Sequence, residues 1–132
     1  MRQQYYDGMA IVHTHSKPDI FITMTCNPQW PEISAGLLPH QSSQDHLDIA
    51  SRVFRLKLDA LVNDLIENAV LGKIIAHMYV VEFQKRGLPH AHILLILESS
   101  DKLRTPEHVD TIISTEIPDR AQYTELYETV LN

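Results

Sequence analysis

One stretch, residues 79–97 (YVVEFQKRGLPHAHILLIL), constrains the fold of this chain more than any other. Residues 74–83 are rich in β-branched and aromatic side chains, and residues 93–97 form an uninterrupted apolar run, which is typical of a buried strand. Between them, Gly87 can adopt the positive φ that a short turn requires. The stretch therefore predicts two antiparallel strands joined by a turn at residues 85–87.

This hairpin also predicts a cluster of metal-binding side chains. His90 and His92 are two residues apart on one strand, so they project from the same face. If Gln84 pairs with Leu88, then Glu82 lies directly opposite His90, with Cβ atoms about 4.5–5.5 Å apart. Two imidazoles and a carboxylate suit a divalent cation, and three protein ligands leave positions for water or a phosphate oxygen. The alternative is a hairpin with two incidental histidines, although polar groups in a buried strand cost about 1–3 kcal/mol each unless they are partnered.

Length and composition predict a single domain over residues 1–132, with 44% hydrophobic residues to build its core. No apolar run approaches the roughly 20 residues of a membrane span, and the start does not resemble a signal peptide. The single cysteine, Cys26, excludes an internal disulfide framework and a zinc finger with several cysteine ligands. It fits an intracellular location, and we expect Cys26 to be a small core residue.

The formal net charge of −6 is unevenly distributed. Residues 1–97 contain eight basic and nine acidic side chains, whereas residues 98–132 contain three and eight. A protein that binds phosphates usually carries a basic stripe, although a bound cation adds positive charge that this sum omits. We therefore expect weak, salt-sensitive affinity for DNA.

Further elements follow from local patterns. Residues 19–26 predict a strand, and residues 34–46 a surface loop. Helical spacing of apolar residues predicts a helix over about 47–70, capped by Asp45 or Asp48 and ended near Gly72. Two more helices are expected at residues 106–114, with Thr105 as N-cap, and at 121–131.

Several blocks of the sequence resemble one group of transposases. Residues 89–92 (PHAH), followed by apolar residues, resemble the His-hydrophobe-His motif of the HUH endonuclease superfamily, the Rep and relaxase enzymes of rolling-circle replication. Residues 82–92 (EFQKRGLPHAH) and 18–32 (PDIFITMTCNPQWPE) more narrowly resemble the N-terminal Rep-like domain of Helitron transposases. Residues 52–58 and 115–119 fit the same domain, so the resemblance covers most of the chain.

The resemblance implies a DNA endonuclease that nicks and rejoins one strand. In this family a tyrosine attacks the scissile phosphorus, which leaves a 5′-phosphotyrosine and a free 3′-OH. Mg²⁺ or Mn²⁺, held here by Glu82, His90 and His92, would polarise the phosphate. The resemblance also implies single-stranded DNA as a partner, a separate C-terminal helicase domain in the full protein, and a nuclear location in a eukaryote.

Four residues are the expected DNA contacts. Lys85 and Arg86 lie in the hairpin turn, and Asn27 and Trp30 lie in the loop after the first strand. An exposed Trp can stack on a DNA base, as aromatic side chains do in single-strand binders. The alternative for Trp30 is that it anchors its loop to the core.

The nucleophile is the weak point of an enzymatic interpretation. In the family, the paired tyrosines lie downstream of the matched region, so we expect a domain truncated before them and inactive as this fragment. Tyr123 and Tyr127 stand at i and i+4 on a predicted helix, which is the spacing of neighbours on one helix face. Because Glu125 and Glu128 surround them and would repel a phosphate, we interpret both as packing residues. The chain also has no G-x-x-x-x-G-K-[ST] phosphate loop.

Together these patterns predict an α+β domain: an antiparallel sheet of the ferredoxin-like or Rep (HUH) type, with helices mainly on one face. The leading hypothesis is a metal-binding Rep-like domain of a Helitron transposase. The alternatives are a non-catalytic module that binds single-stranded DNA and a structural remnant of a decayed transposon.

Overall fold

The computed structural model describes residues 10, 13–14, 17–84, 87–114 and 116–131. In chain order its elements are β1 (Ile20–Thr25), α1 (Pro31–Ala35), α2 (Leu47–Ile66), β2 (Ile74–Phe83), β3 (Pro89–Leu97), α3 (Pro106–Ile112) and α4 (Thr124–Leu131). Contacts divide the chain into two compact units, residues 1–102 and 103–132, each of which is described by itself. The single-domain prediction stays a prediction.

The sheet has three antiparallel strands in the order β1–β3–β2, which confirms the α+β class. Strand β3 is the central strand. Its backbone pairs with a neighbouring strand on each edge, and its apolar side chains can be buried on one face. The turn between β2 and β3 is closed as predicted: the Gln84 carbonyl accepts a hydrogen bond from the Gly87 N–H, and Leu88 pairs with Gln84. Gly87 has φ +82°, the left-handed conformation that favours glycine.

Burial alternates between the two faces of the sheet along β1 and along β3 from Ala91 to Leu95, whereas β2 shows no such alternation. Along β1, buried or half-buried residues alternate with the exposed Phe21, Thr23 and Thr25. Along β3, Ala91, Ile93 and Leu95 are buried, and the residues between them are only half-buried. This alternation is the pattern of a sheet with one face on the core and one face open. The pairing of β2 with β3 is regular from Ala76 to Phe83 and is interrupted by a bulge between Ile74 and Ala76.

Helix α2 contributes most of the buried helical residues that complete the core. Ala50, Phe54, Leu58 and Leu65 form a buried stripe at helical spacing, and the helix contacts β3. Cys26, directly after β1, is also buried as predicted, and burial raises the pKa of its thiol. Among the described residues, no helix is both long enough and apolar enough to cross a membrane.

The predicted N-cap of α2, Asp45 or Asp48, is wrong. The helix follows His46, whose side chain makes no capping hydrogen bond, and neither Asp45 nor Asp48 takes that role. Asp45 instead accepts hydrogen bonds from the Ser42 hydroxyl (2.7 Å) and backbone N–H (2.8 Å), which lower the pKa of its carboxyl. The carboxylate closes its own preceding turn, so it is not available to the helix.

Two further boundaries differ from expectation. Helix α2 ends at Ile66 instead of residue 70, because Leu65 is its last buried residue and Ala69 already has φ +48°. The short helix α1 is a second difference, because it replaces the end of the expected loop after the first strand and the first two residues of the surface loop expected at 34–46. Pro31 is the first residue of this helix, a position whose N–H has no partner within the helix. Ile33, in the middle of the helix, is fully buried.

The C-terminal unit contains the two predicted helices. Pro106 is the first residue of α3, and the Thr105 side chain accepts a hydrogen bond from the His108 N–H, so the predicted N-cap is confirmed. Both helices are shorter than predicted, and neither has a buried residue.

Replacing Gly87 tests the turn geometry. We expect Gly87→Ala to lower the free energy of unfolding by about 1–2 kcal/mol, the usual cost of a left-handed backbone at a residue with a side chain. Gly87→Asn should cost less, because Asn adopts this conformation more readily. Urea unfolding of the two variants and the wild type measures the difference.

A β-carbon at Gly87 would stand 2.6 Å from Leu47 Cδ1, at the start of α2. Both substitutions introduce this contact, so the Ala–Asn comparison isolates the backbone contribution. Equal losses in the two variants would instead assign the cost to crowding against Leu47, and Leu47→Ala would then restore stability.

Candidate metal centre

Strand pairing brings the predicted metal ligands to one face of the sheet. Glu82 is directly opposite His90, so the predicted register of the hairpin is confirmed. On the other side of β3, Thr25 is opposite His90 and Thr23 is opposite His92. Because directly paired residues share a face, all five side chains stand on the open face of the sheet.

The Glu82 carboxylate is closest to the diagonal histidine. Its Oε2 lies 3.7 Å from His92 Nε2, although the backbone partner of Glu82 is His90. A long side chain can reach a diagonal neighbour on the same face. The imidazoles of His90 and His92 are neighbours, with ring centroids 4.6 Å apart and planes inclined by 70°.

These three side chains do not form a ready-made metal centre. Among the described residues, no three His, Cys, Asp or Glu side chains are grouped tightly enough to hold an ion. Adjacent ligands of an octahedral ion with bonds near 2.1 Å are about 3 Å apart, so the 3.7 Å gap between Glu82 and His92 needs a small closing movement. Glu82 is 64% exposed and therefore has room to make it.

The types of donor atom, two imidazole nitrogens and a carboxylate, are ones that a divalent cation accepts. Imidazole nitrogen with carboxylate oxygen is a donor set that Mn²⁺ accepts, and Mn²⁺ suits imidazole better than Mg²⁺ does. The Nδ1 atoms of both rings face the hydroxyls of β1, at 2.9 Å for Thr25–His90 and 3.4 Å for Thr23–His92. The opposite ring nitrogen, Nε2, is the one that His92 directs towards Glu82.

Aromatic packing holds one ring in place. Phe21 stacks on His92 with centroids 5.6 Å apart and planes inclined by only 10°. Phe21 itself is 61% exposed, so the ring pair stands on the surface of the open face. The ring pair is therefore open to solvent in this unit of the structure.

Comparison with known proteins identifies the family. A family model described as the Helitron helicase-like domain at the N-terminus matches residues 1–95. The chain belongs to this family. The matched region includes Glu82, His90 and His92, and a search among curated proteins finds no match. The resemblance to the Helitron N-terminal domain is thus confirmed.

The expected DNA contacts of this Helitron domain are only partly described. Lys85 and Arg86 lie outside the described residues. Asn27 has a structural role: its Oδ1 accepts a hydrogen bond from the Gln29 N–H, and its carbonyl accepts one from the Trp30 N–H. These bonds close the loop between β1 and α1. Contact of these residues with DNA stays a prediction.

Trp30 packs as the structural alternative describes. Its ring stacks on Phe54 of α2 with centroids 6.5 Å apart, and Lys57 Nζ lies 5.0 Å from the Trp30 centroid. Lys57 also donates a 2.8 Å hydrogen bond to Glu32, which lowers the pKa of that carboxyl. Trp30 therefore ties α1 to α2 through a stacked ring and a cation–π contact.

The tyrosine pair lies in the C-terminal unit, outside the region that the family model matches. Tyr123 is exposed, and the Arg120 guanidinium lies 5.7 Å from the centroid of Tyr127. Arg120 also pairs with Glu128 at 3.6 Å, so its charge is shared with a carboxylate. The interpretation of both tyrosines as packing residues stays a prediction.

Sequence reasoning missed Thr23, Thr25 and Gln84 as neighbours of the imidazoles. Gln84 Nε2 lies 3.4 Å from His90 Nδ1, and the two threonine contacts come from β1. Alternation along β1 was available as a signal that Thr23 and Thr25 share a face. It could not give their partners, because β1 and β3 are separated by about 65 residues of sequence.

Replacing Trp30 tests whether it stabilises the domain. We expect Trp30→Ala to lower the free energy of unfolding by about 2–3 kcal/mol, below the roughly 3–5 kcal/mol of a fully buried aromatic ring. Trp30→Phe should retain most of the stability, because a phenyl ring can still stack on Phe54. Thermal and urea unfolding measure both, and an unchanged midpoint for Trp30→Ala would contradict the anchoring role.

Proposed function

We propose that this Helitron helicase-like N-terminal domain binds a divalent metal through Glu82, His90 and His92, and that it serves single-strand DNA nicking and rejoining in the full protein. The observation that carries the proposal is the shared open face, on which two adjacent imidazoles and an exposed carboxylate stand beside two threonine hydroxyls. Family membership supports the Helitron context.

The residues of the open face would act before any bond is broken. His90 and His92 present nitrogen donors from a rigid central strand, and Glu82 closes the set from the neighbouring strand. A divalent cation bound there supplies Lewis-acid polarisation of a phosphate oxygen. The exposure of Glu82 and His92, at 64% and 34%, leaves space for a DNA phosphate to approach.

The electrostatics of the chain favour weak DNA binding. Several basic side chains in the described part of the chain already form ion pairs with Asp or Glu: Arg55, Lys57, Lys73, Lys102 and Arg120. A phosphate would have to compete with these carboxylates, and salt would screen what remains. We therefore propose that stronger attachment to DNA comes from other parts of the full protein, a C-terminal helicase domain among them.

Titration with Mn²⁺ tests the metal centre. We expect the wild type to release or absorb heat with a saturable profile, and His92→Ala to reduce the affinity more than the roughly 10–100-fold that losing a supporting partner costs. Isothermal calorimetry in a buffer free of chelators measures this. Addition of EDTA should reverse the binding.

His77→Ala is the matched control for this titration. His77 is on β2 opposite Leu95, a core residue, and so it projects from the face opposite to Glu82. Its removal should leave Mn²⁺ affinity unchanged. Equal heats for wild type and His92→Ala would remove the metal proposal.

Incubation with labelled single-stranded DNA and Mn²⁺ tests the nucleophile. We expect no covalent protein–DNA product on a denaturing gel, because Glu125 places like charge beside the tyrosine pair and the nearby cation, Arg120, is already paired with Glu128. An adduct that persists in Tyr123→Phe and disappears in Tyr127→Phe would show that this chain carries its own nucleophile. That result would contradict the assignment of Tyr127 as a packing residue.

A further inference from the structure

We infer that the outer edge of β2 is a self-association surface: two copies of this chain pair their β2 strands antiparallel about a two-fold axis at Tyr79, which joins the two sheets into one. The inference goes beyond the proposed function and does not depend on it. It rests on the length and composition of β2, on the exposure of its side chains and on the pairing that its own sequence permits.

Strand β2 is a long edge strand with few charged side chains. It runs over Ile74–Phe83 and lies at one end of the strand order β1–β3–β2, so among the described strands it pairs with β3 alone. Its ten residues include no Lys, Arg or Pro, and Glu82 is its single carboxylate. Natural edge strands are commonly short, covered, or marked by such residues, because an unpaired row of N–H and C=O groups attracts another strand. The opposite edge strand, β1, has only six residues.

The ladder determines which backbone groups of β2 point outward. The Gln84 N–H donates to the Leu88 carbonyl, so these two residues form a hydrogen-bonded pair. Bonded and non-bonded pairs alternate along an antiparallel ladder, so the next pair, Phe83 with Pro89, is non-bonded. By the same alternation, the N–H and C=O groups of every second residue from Phe83 back to residue 77 point away from β3. These are the groups that a further strand would bond.

The side chains of these outward-pointing residues are poorly covered. The β3 partners of His77 and Tyr79 are buried, whereas His77 is exposed and Tyr79 is half-buried. Apolar side chains are exposed at both ends of the strand, Ile75 at 43% and Phe83 at 64%. The described residues of this unit therefore leave apolar surface open along β2, next to the unpaired edge.

The sequence of β2 is complementary to itself in one register. Tyr79 is the midpoint between Ile75 and Phe83. Antiparallel pairing about Tyr79 therefore brings Phe83 of each copy to the end of the strand where Ile75 of the other is exposed. A contact of this kind uses the same surface on both copies, which is the rule for two-fold dimers.

Charge does not oppose this register. It places Glu82 opposite Ala76, a small residue, and His77 opposite Val81, so no two like charges face each other. Moving the axis by one residue would set the Glu82 carboxylate opposite the apolar Met78. Because both exposed ends of β2 are matched by β2 itself, the partner that fits this edge is a second copy of the chain.

Disulfide trapping in the full chain tests the register. In the proposed dimer His77 of one copy is opposite Val81 of the other, with Cα atoms about 5.5 Å apart, within the range that a disulfide spans. Two copies of the same variant would hold their introduced thiols four residues apart along the strand, or about 13 Å, which a disulfide cannot bridge.

We therefore expect a linked dimer on a non-reducing denaturing gel when His77→Cys and Val81→Cys are mixed and oxidised with glutathione disulfide. Either variant by itself should stay unlinked. The wild type, whose single Cys26 is buried, is the control for background linking. Equal linking in the mixture and in the separate variants would overturn the proposed pairing, as would a mixture that does not link.

Sedimentation velocity at rising chain concentration measures the association itself. We expect the wild type to move from monomer to dimer, and His77→Lys to associate about ten-fold more weakly, because a lysine on the edge opposes pairing and symmetry repeats it in each dimer. Leu56→Lys is the matched control: it adds the same charge at a 71% exposed apolar residue on α2, and it should associate like the wild type.

A wild type that stays monomeric at every concentration would overturn the inference and leave the edge to a strand of another protein. Equal weakening in His77→Lys and Leu56→Lys would overturn it as well, because the effect would then not belong to β2. Since His77 and Leu56 are both exposed, their replacement leaves the core intact, and urea unfolding of the two variants checks this.

Discussion

The hydrogen bonding of β3 to a strand on each side is the interaction on which the rest of the molecule depends. The central position of β3 buries Ala91, Ile93 and Leu95 against the helical layer and leaves the alternate residues on the open face. The same pairing aligns Thr25, His90 and Glu82 in one row across three strands. Core formation and the candidate metal centre thus follow from a single register, because side chains alternate with a period of two.

The sequence contained enough information for the hairpin and its register, since both are local. The positive φ of Gly87 and the Gln84–Leu88 pairing follow from turn chemistry, and the position of Glu82 opposite His90 follows from the turn. Long-range features were not accessible in the same way. No local pattern states which strand pairs with β1, so the threonine partners of the imidazoles were missed. The end of α2 was overestimated because helical spacing continues in the sequence after tertiary burial stops at Leu65.

The candidate centre combines two imidazoles that are held by contacts with one exposed carboxylate. His90 and His92 are held by the central strand, and Phe21 and Thr25 further restrict their rings. Glu82, by contrast, is largely exposed and projects from an edge strand of the three. Ordering such a side chain costs up to about 2 kcal/mol in rotamer entropy, which any ion has to offset. The proposed metal centre would therefore have to assemble on binding, because the three side chains do not form a closed group in the described structure.

The bulge in β2 gives the domain one place where chain length can vary safely. The irregularity lies between Ile74 and Ala76, at the end of β2 away from Glu82, and the ladder is regular from Ala76 onward. An insertion or deletion at the bulge would be absorbed by the loop before it. A one-residue change between Ala76 and Glu82 would instead exchange the two faces of the part of β2 that precedes it, because the turn keeps Glu82 opposite His90. Natural insertions and deletions in this hairpin are therefore expected near Ile74 and Ala76, at the end away from the turn.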